Sequence, residues 1–148
     1  MTTRADVVAA ARSLLGTPYA PHQRTPGVGI DCAGLPIVVA RLLGLKEASF
    51  DVNGYSLHPD GSLIPLCKEH LIQVPREEMG DGDVLVLKWG KGEAQHFGIL
   101  ATHQTYGTRS IIHAEQLRHK QVVEHQLAFT AHTRFVAAFR FPGVECRS

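Results

Sequence analysis

The sequence has little from which to build a disulfide framework. Three cysteines, Cys32, Cys67 and Cys146, are spread over 148 residues. An odd, sparse set without short spacing reads as free thiols of a reducing compartment. No stretch approaches the roughly 20 apolar residues that a membrane span needs, so no membrane insertion is expected. The opening "MTTRADVVAAARSLLG" lacks the long apolar core and cleavage site of a secretory leader. The expectation is a chain made in the cytoplasm. Charge of one sign is missing too: 15 Lys and Arg face 14 Asp and Glu, for a net charge of +1. Scattered, balanced charge gives no polybasic surface for nucleic acid. The nine histidines run from His22 to His132 and form no dense tract. Neither "HxxxH" nor "CxxC" spacing occurs, so no metal or organic cofactor is expected.

What is present suits one domain over residues 1–148. A chain of this size buries roughly 68–70% of its unfolded surface and folds without staples. Thr3 and Asp6 form the pattern of a reciprocal helix cap. Val7, Val8, Ala11, Leu14 and Leu15 then recur at helical spacing, which predicts a helix over 4–15 closed by Gly16. Residues 16–31 are rich in glycine and proline and read as a loop. "CAGLPIVVARLLGL" predicts a second helix starting near Cys32 and ending at Gly44, with Asp31 as N-cap. Between 46 and 82, turn signals dominate ("NGY", "HPDG", "EEMGDGD"), with a short helix near 65–72. "DVLVLKW" (83–89), "QHFGILA" (95–101), "SIIHAE" (110–115), "QVVEH" (121–125) and "RFVAAFRF" (134–141) read as strands. Helices first and strands afterwards predict an α+β domain, with N-terminal helices packed on a mostly antiparallel sheet of about five strands.

The chemistry centres on "GVGIDCAGL". A thiolate is the nucleophile, and a helix N-terminus or a neighbouring imidazolium lowers a thiol's pKa. The pattern puts Cys32 at a helix head, where backbone N–H groups also suit a developing oxyanion. A base has to come from elsewhere in the chain. His96 opens a predicted strand, on which it shares a face with Gly98 and Leu100. His113 sits within "IIHAE". Adjacent antiparallel strands would let His96 serve Cys32 as base while His113 orients His96. The same residues also fit a plainer reading, because a cysteine beside an apolar helix is commonly a small buried hydrophobe.

Those stretches also carry a resemblance. "GTPY" ahead of "DCAGL", then "GDVLVLKWG", "QHFGIL", "IIHAE" and "VAAFRFP", resembles the NlpC/P60 cysteine peptidases, most closely the compact branch associated with phage tails and gene-transfer agents. The resemblance implies a papain-like α+β fold and hydrolysis of bacterial cell-wall stem peptides, typically between D-γ-glutamate and diaminopimelate. It puts the nucleophile on Cys32, the base on His96 and the third polar residue on His113. It gives Tyr19 a part in positioning or stabilising the reacting group; a packed loop anchor is the plainer role. It also implies peptidoglycan peptides as partners, with phage-tail or gene-transfer-agent proteins as carriers.

Two departures stand out. Ala33 replaces the serine that commonly follows the cysteine and serves substrate binding. "APHQRTPG" replaces the usual glycine pair after the tyrosine, and its His22 and Arg24 are candidates to meet a substrate carboxylate. Trp89, at a strand end, is a candidate cleft wall. Cys67 and Cys146 read as structural, and His103, His119, His125 and His132 as surface residues. Two other readings use the same residues. One is a non-enzymatic tail or assembly component with an idle site. The other is a thiol amidase or acyltransferase, which long apolar cleft walls would favour, and no such segment is visible near the site.

Overall fold

The computed structural model describes residues 1–45, 63–89 and 96–145. Helix α1 spans Arg4–Arg12, three residues shorter than the periodicity predicts. Its start is the expected reciprocal cap: the Asp6 N–H donates to Thr3 Oγ1, and the Thr3 N–H donates to the Asp6 carboxylate. The chain leaves the helix through a turn, and Gly16 takes φ +87°. Residues 16–31, expected as loop, contain a two-stranded hairpin of β1 (Arg24–Thr25) and β2 (Gly29–Ile30).

Helix α2 spans Gly34–Leu43 and ends on Gly44, whose left-handed φ of 66° forms the C-cap. Its Leu35, Val38 and Val39 are fully or almost fully buried. Each such side chain contributes roughly 1.5–3 kcal/mol on burial. Helix α3 spans Ile64–His70. It leads into the short strand β3 (Ile72–Val74) and a 3-10 turn at Arg76–Glu78.

The predicted strands are β4 (Val84–Trp89), β5 (His96–Thr102), β6 (Arg109–Glu115), β7 (Gln121–Gln126) and β8 (Thr133–Arg140). With β3 they make a six-stranded sheet in the order β3-β8-β4-β5-β6-β7. Every pairing within it is antiparallel. β3 is the strand the sequence pattern did not announce.

Alternation divides the sheet residues between two faces. Val84, Val86, Phe97, Ile99, Ile112 and Phe139 join α1 and α2 in the main core. Leu85, Leu87, Leu100, Ile111 and Ala138 form a smaller cluster with Val74 and Met79 on the reverse. Gly98 allows β5 and β6 to approach there: a Cβ at 98 would lie 2.5 Å from Ile111 side-chain carbons. Among the described residues no helix is long and apolar enough to cross a membrane.

Candidate active site

Cys32 sits in the turn between β2 and α2, and Asp31 organises that turn. The Asp31 carboxylate is wholly buried. It accepts from the Gly34 N–H at 2.7 Å, the His22 N–H at 2.7 Å and Arg24 Nη1 at 3.1 Å. The Asp31 carbonyl also accepts from the Leu35 N–H. Asp31 thus caps the first turn as expected, although the regular helix begins only at Gly34. Gly34 fits because a Cβ there would lie 2.7 Å from Arg24 Nη1 and 2.9 Å from Asp31 Oδ1. Arg24 is therefore part of the scaffold under Cys32: its guanidinium pairs with Asp31. His22 joins the same scaffold through its backbone, at φ 58°, with an exposed side chain.

Tyr19 is held from two sides. Its N–H donates to the Lys120 carbonyl, beside β7. The neighbouring Pro18 carbonyl accepts from the Ile30 N–H, and the Ala20 N–H donates to the Ile30 carbonyl. This stitching ties the Tyr19 segment to the strand that leads into Asp31 and Cys32. Burial and the proximity of Cys32 and Asp31 raise the tyrosine's pKa. Its hydroxyl therefore stays protonated and remains a hydrogen-bond donor.

The thiol departs from expectation. Helix-head placement predicts a lowered pKa, but burial pushes Cys32 up to about 12, and the nearby Asp31 adds to the rise. Backbone N–H groups of Phe97, Ala33 and Cys32 itself oppose the rise without reversing it. Desolvation of a charge outweighs a few backbone dipoles. The Phe97 contact brings the head of β5, and so the neighbourhood of His96, against the cysteine.

His96 and His113 meet where β5 and β6 part. The paired register of these strands runs from Thr102↔Arg109 to Ile99↔Ile112 and stops there. Beyond that point His96 Nε2 lies 2.6 Å from His113 Nδ1, with the rings edge to face. His113 is fully buried. A third histidine joins them, one that the sequence pattern assigned to the surface. His125 Nε2 lies 2.7 Å from His113 Nε2, and its Nδ1 lies 3.0 Å from the Gln126 carbonyl oxygen. The register explains the meeting: Ile111 pairs with His125 and His113 with Val123, so His113 and His125 are diagonal neighbours on one sheet face. His119 behaves as expected, half exposed beside Glu115.

Burial lowers His96 to about 4 and His113 to about 2, and neighbouring histidines push both further down. Both rings are neutral at pH 7. Below the ordinary histidine value of 6.5 the unfolded chain takes up protons that the folded chain refuses. Stability is therefore full above that value and falls as pH drops toward the folded values. The loss is about 1.4 kcal/mol per pH unit for each of the two rings. Urea midpoints at about pH 7 and about pH 5 will differ accordingly; a flat profile would sink this account.

Ala33 is buried and opens onto a small apolar cavity of about 70 Å³ beside the cysteine. Pro36, Ile37, Leu63, Leu66, Cys67, Leu71, Phe97 and Phe141 line most of it. Cys67 accordingly packs here, in α3, with its thiol raised to about 12 by burial. The sequence gives no sign of these apolar walls, because α2, α3, β4, β5 and Phe141 each supply a part. Trp89 ends β4 opposite Thr133; its side chain, like Cys146, lies outside the described residues. Among the described residues no group of three His, Cys, Asp or Glu side chains could hold a metal ion.

The fold is similar to that of solved structures. The NlpC/P60 domain of the peptidoglycan hydrolase SagA superposes with a TM-score of 0.63 at 20% identity, covering 95% of this chain and 100% of that one. NlpC2 from Trichomonas vaginalis gives 0.66 at 14% identity, over 95% of this chain and 48% of the other. An N-acetylmuramoyl-L-alanine amidase from Bacteroides uniformis gives 0.58 at 14% identity, over 93% and 98%. No protein-family model matches the sequence, and comparison with curated proteins finds no significant match. The chain therefore has the mixed helix and antiparallel-sheet fold of NlpC/P60 domains.

Proposed function

We propose that the protein is a cysteine peptidase that hydrolyses stem peptides of the bacterial cell wall, with the D-γ-glutamyl-diaminopimelate bond as its target. One observation carries the reading: a thiol at the head of α2 meets the start of β5, where His96 is held by buried His113. The likeness in fold to a peptidoglycan hydrolase domain and to an amidase supports the substrate class.

In this reading the resting pair is a neutral thiol and a neutral imidazole. Cys32 Sγ attacks the scissile carbonyl as its proton passes to His96. The Cys32 backbone N–H and the Tyr19 hydroxyl stabilise the oxyanion. His96 then gives the proton to the departing amine, and water cleaves the thioester. His113 holds the imidazole through both steps. Purified protein incubated with defined muropeptides, with products read by mass spectrometry, tests the proposal and names the bond; intact peptides would overturn it.

A raised thiol pKa has a direct consequence. Iodoacetamide will label resting Cys32 slowly at mildly acidic pH, no faster than Cys67, since both are held near 12. Rapid selective labelling of Cys32 would show a resting thiolate and rule out the neutral pair.

The apolar cavity beside Ala33 favours a second reading, a thiol amidase or acyltransferase that seats an apolar group there. N-acyl amides in the same substrate panel separate the two. Delivery by a phage tail or similar particle follows from the resemblance in sequence, and is checked by whether the protein co-purifies with such particles.

A further inference from the structure

We propose that His125 is a positioning residue that sets which nitrogen of His96 carries the proton; this rests on the thiol-hydrolase reading above. The Gln126 backbone oxygen can only accept, so the His125 nitrogen that faces it at 3.0 Å, Nδ1, carries a hydrogen. In a neutral imidazole the other nitrogen is then a lone pair. His125 Nε2 therefore accepts, and its partner at 2.7 Å, His113 Nε2, donates. That in turn makes His113 Nδ1 a lone pair, so His96 Nε2 donates to it across 2.6 Å. The remaining nitrogen of His96, Nδ1, is left as the basic one.

One backbone carbonyl on β7 thus sets a direction along the chain. A pair of histidines alone would not fix it: His96 and His113 can share their hydrogen either way round. With the reverse order His96 Nδ1 would already hold a proton and could take none from a thiol. Fixing a catalytic imidazole's tautomer through the bond made by its other nitrogen is a general device. Here the device has two stages, and the second lies outside the Cys32, His96, His113 set.

The test reads tautomers directly. Protein labelled with nitrogen-15 in its histidine rings reports, by proton–nitrogen correlation spectra, which nitrogen of each ring is protonated. In the wild type at neutral pH the expected forms are Nδ1–H for His125 and Nε2–H for His113 and His96. In His125→Phe the anchor is gone. The His113 and His96 signals are expected to move to mixed tautomers, and kcat for peptide cleavage to fall on the order of tenfold to a hundredfold at unchanged KM. His125→Gln, which keeps an acceptor near His113, is expected to recover most of the rate. Reversed tautomers in the wild type, or unchanged His113 and His96 signals in His125→Phe, would overturn the proposal. Should wild-type protein cleave no peptide, the peptidase reading falls, while the wild-type spectra still decide the ring order. The wild-type spectra also decide it if His125→Phe does not fold.

Discussion

Cys32→Ala is expected to abolish stem-peptide cleavage, lowering kcat on the order of 10⁴-fold or more, while the fold survives. Both parts follow from the site. Cys67, the other described free cysteine, lines the cavity from α3 and does not sit at the head of α2. Without Sγ no covalent intermediate forms, and His96 has no proton to accept. The fold survives because alanine is the smaller group, and the turn around it is organised by the Asp31 carboxylate, not by the thiol. Cys32→Ser is expected to be almost as inactive. Its hydroxyl is a far weaker acid and a poorer nucleophile than the thiol, so it yields its proton to His96 far less readily. Mass spectrometry of muropeptide digests measures the loss, and circular dichroism checks the fold. Cleavage retained by Cys32→Ala would move the chemistry elsewhere in the molecule and leave Cys32 a packing residue.

Features legible in the sequence are those whose causes are local. The Thr3–Asp6 cap needs three residues of spacing and nothing else. Helix α2 and its stop at Gly44 follow from apolar periodicity and one left-handed glycine. Strands β4 to β8 announce themselves by alternation, and the meeting of His96 with His113 follows from adjacent antiparallel strands. Other features have causes that lie far away in the chain. Strand β3 is three residues long and exists because β8 offers it an edge. The thiol's raised pKa comes from desolvation by folded neighbours, against which the local helix head is a weaker influence. The ion pair of Arg24 with Asp31 likewise appears only on folding, which seats the carboxylate beside the guanidinium. His125 reads as surface because "VVEHQ" gives it polar neighbours. The signal that could have found it is register: a short turn after Glu115 pairs Ile111 with His125, and so puts His125 and His113 on one face.

The largest loss of stability is expected from Asp83→Ala, about 3–5 kcal/mol. Asp83 is 1% exposed and heads β4. Its carboxylate takes Arg140 Nε at 2.8 Å and Nη2 at 2.9 Å, and accepts the Gly80 N–H at 2.8 Å. Removing it leaves a guanidinium with little solvent access and a turn without its acceptor. Breaking one side of a buried pair costs far more than the pair contributes, because the remaining charge stays desolvated. The melting temperature is expected to fall by roughly 6–20 °C. Replacing both partners by apolar residues of similar volume, Asp83→Leu with Arg140→Met, is expected to restore much of the loss. A double variant no better than Asp83→Ala would show that the Gly80 turn, not the stranded charge, carries the cost. This corner also separates stability from chemistry. The Asp83 carbonyl accepts the Leu100 N–H, and the Gly82 N–H donates to the Leu100 carbonyl, so Asp83 anchors β5 at the far end from His96. At temperatures well below its melting point, Asp83→Ala is therefore expected to keep near-normal kcat, the opposite pattern from Cys32→Ala. Two substitutions that divide in this way, one removing rate without stability and the other stability without rate, would distinguish a reactive centre held by the sheet from a thiol that merely packs on it.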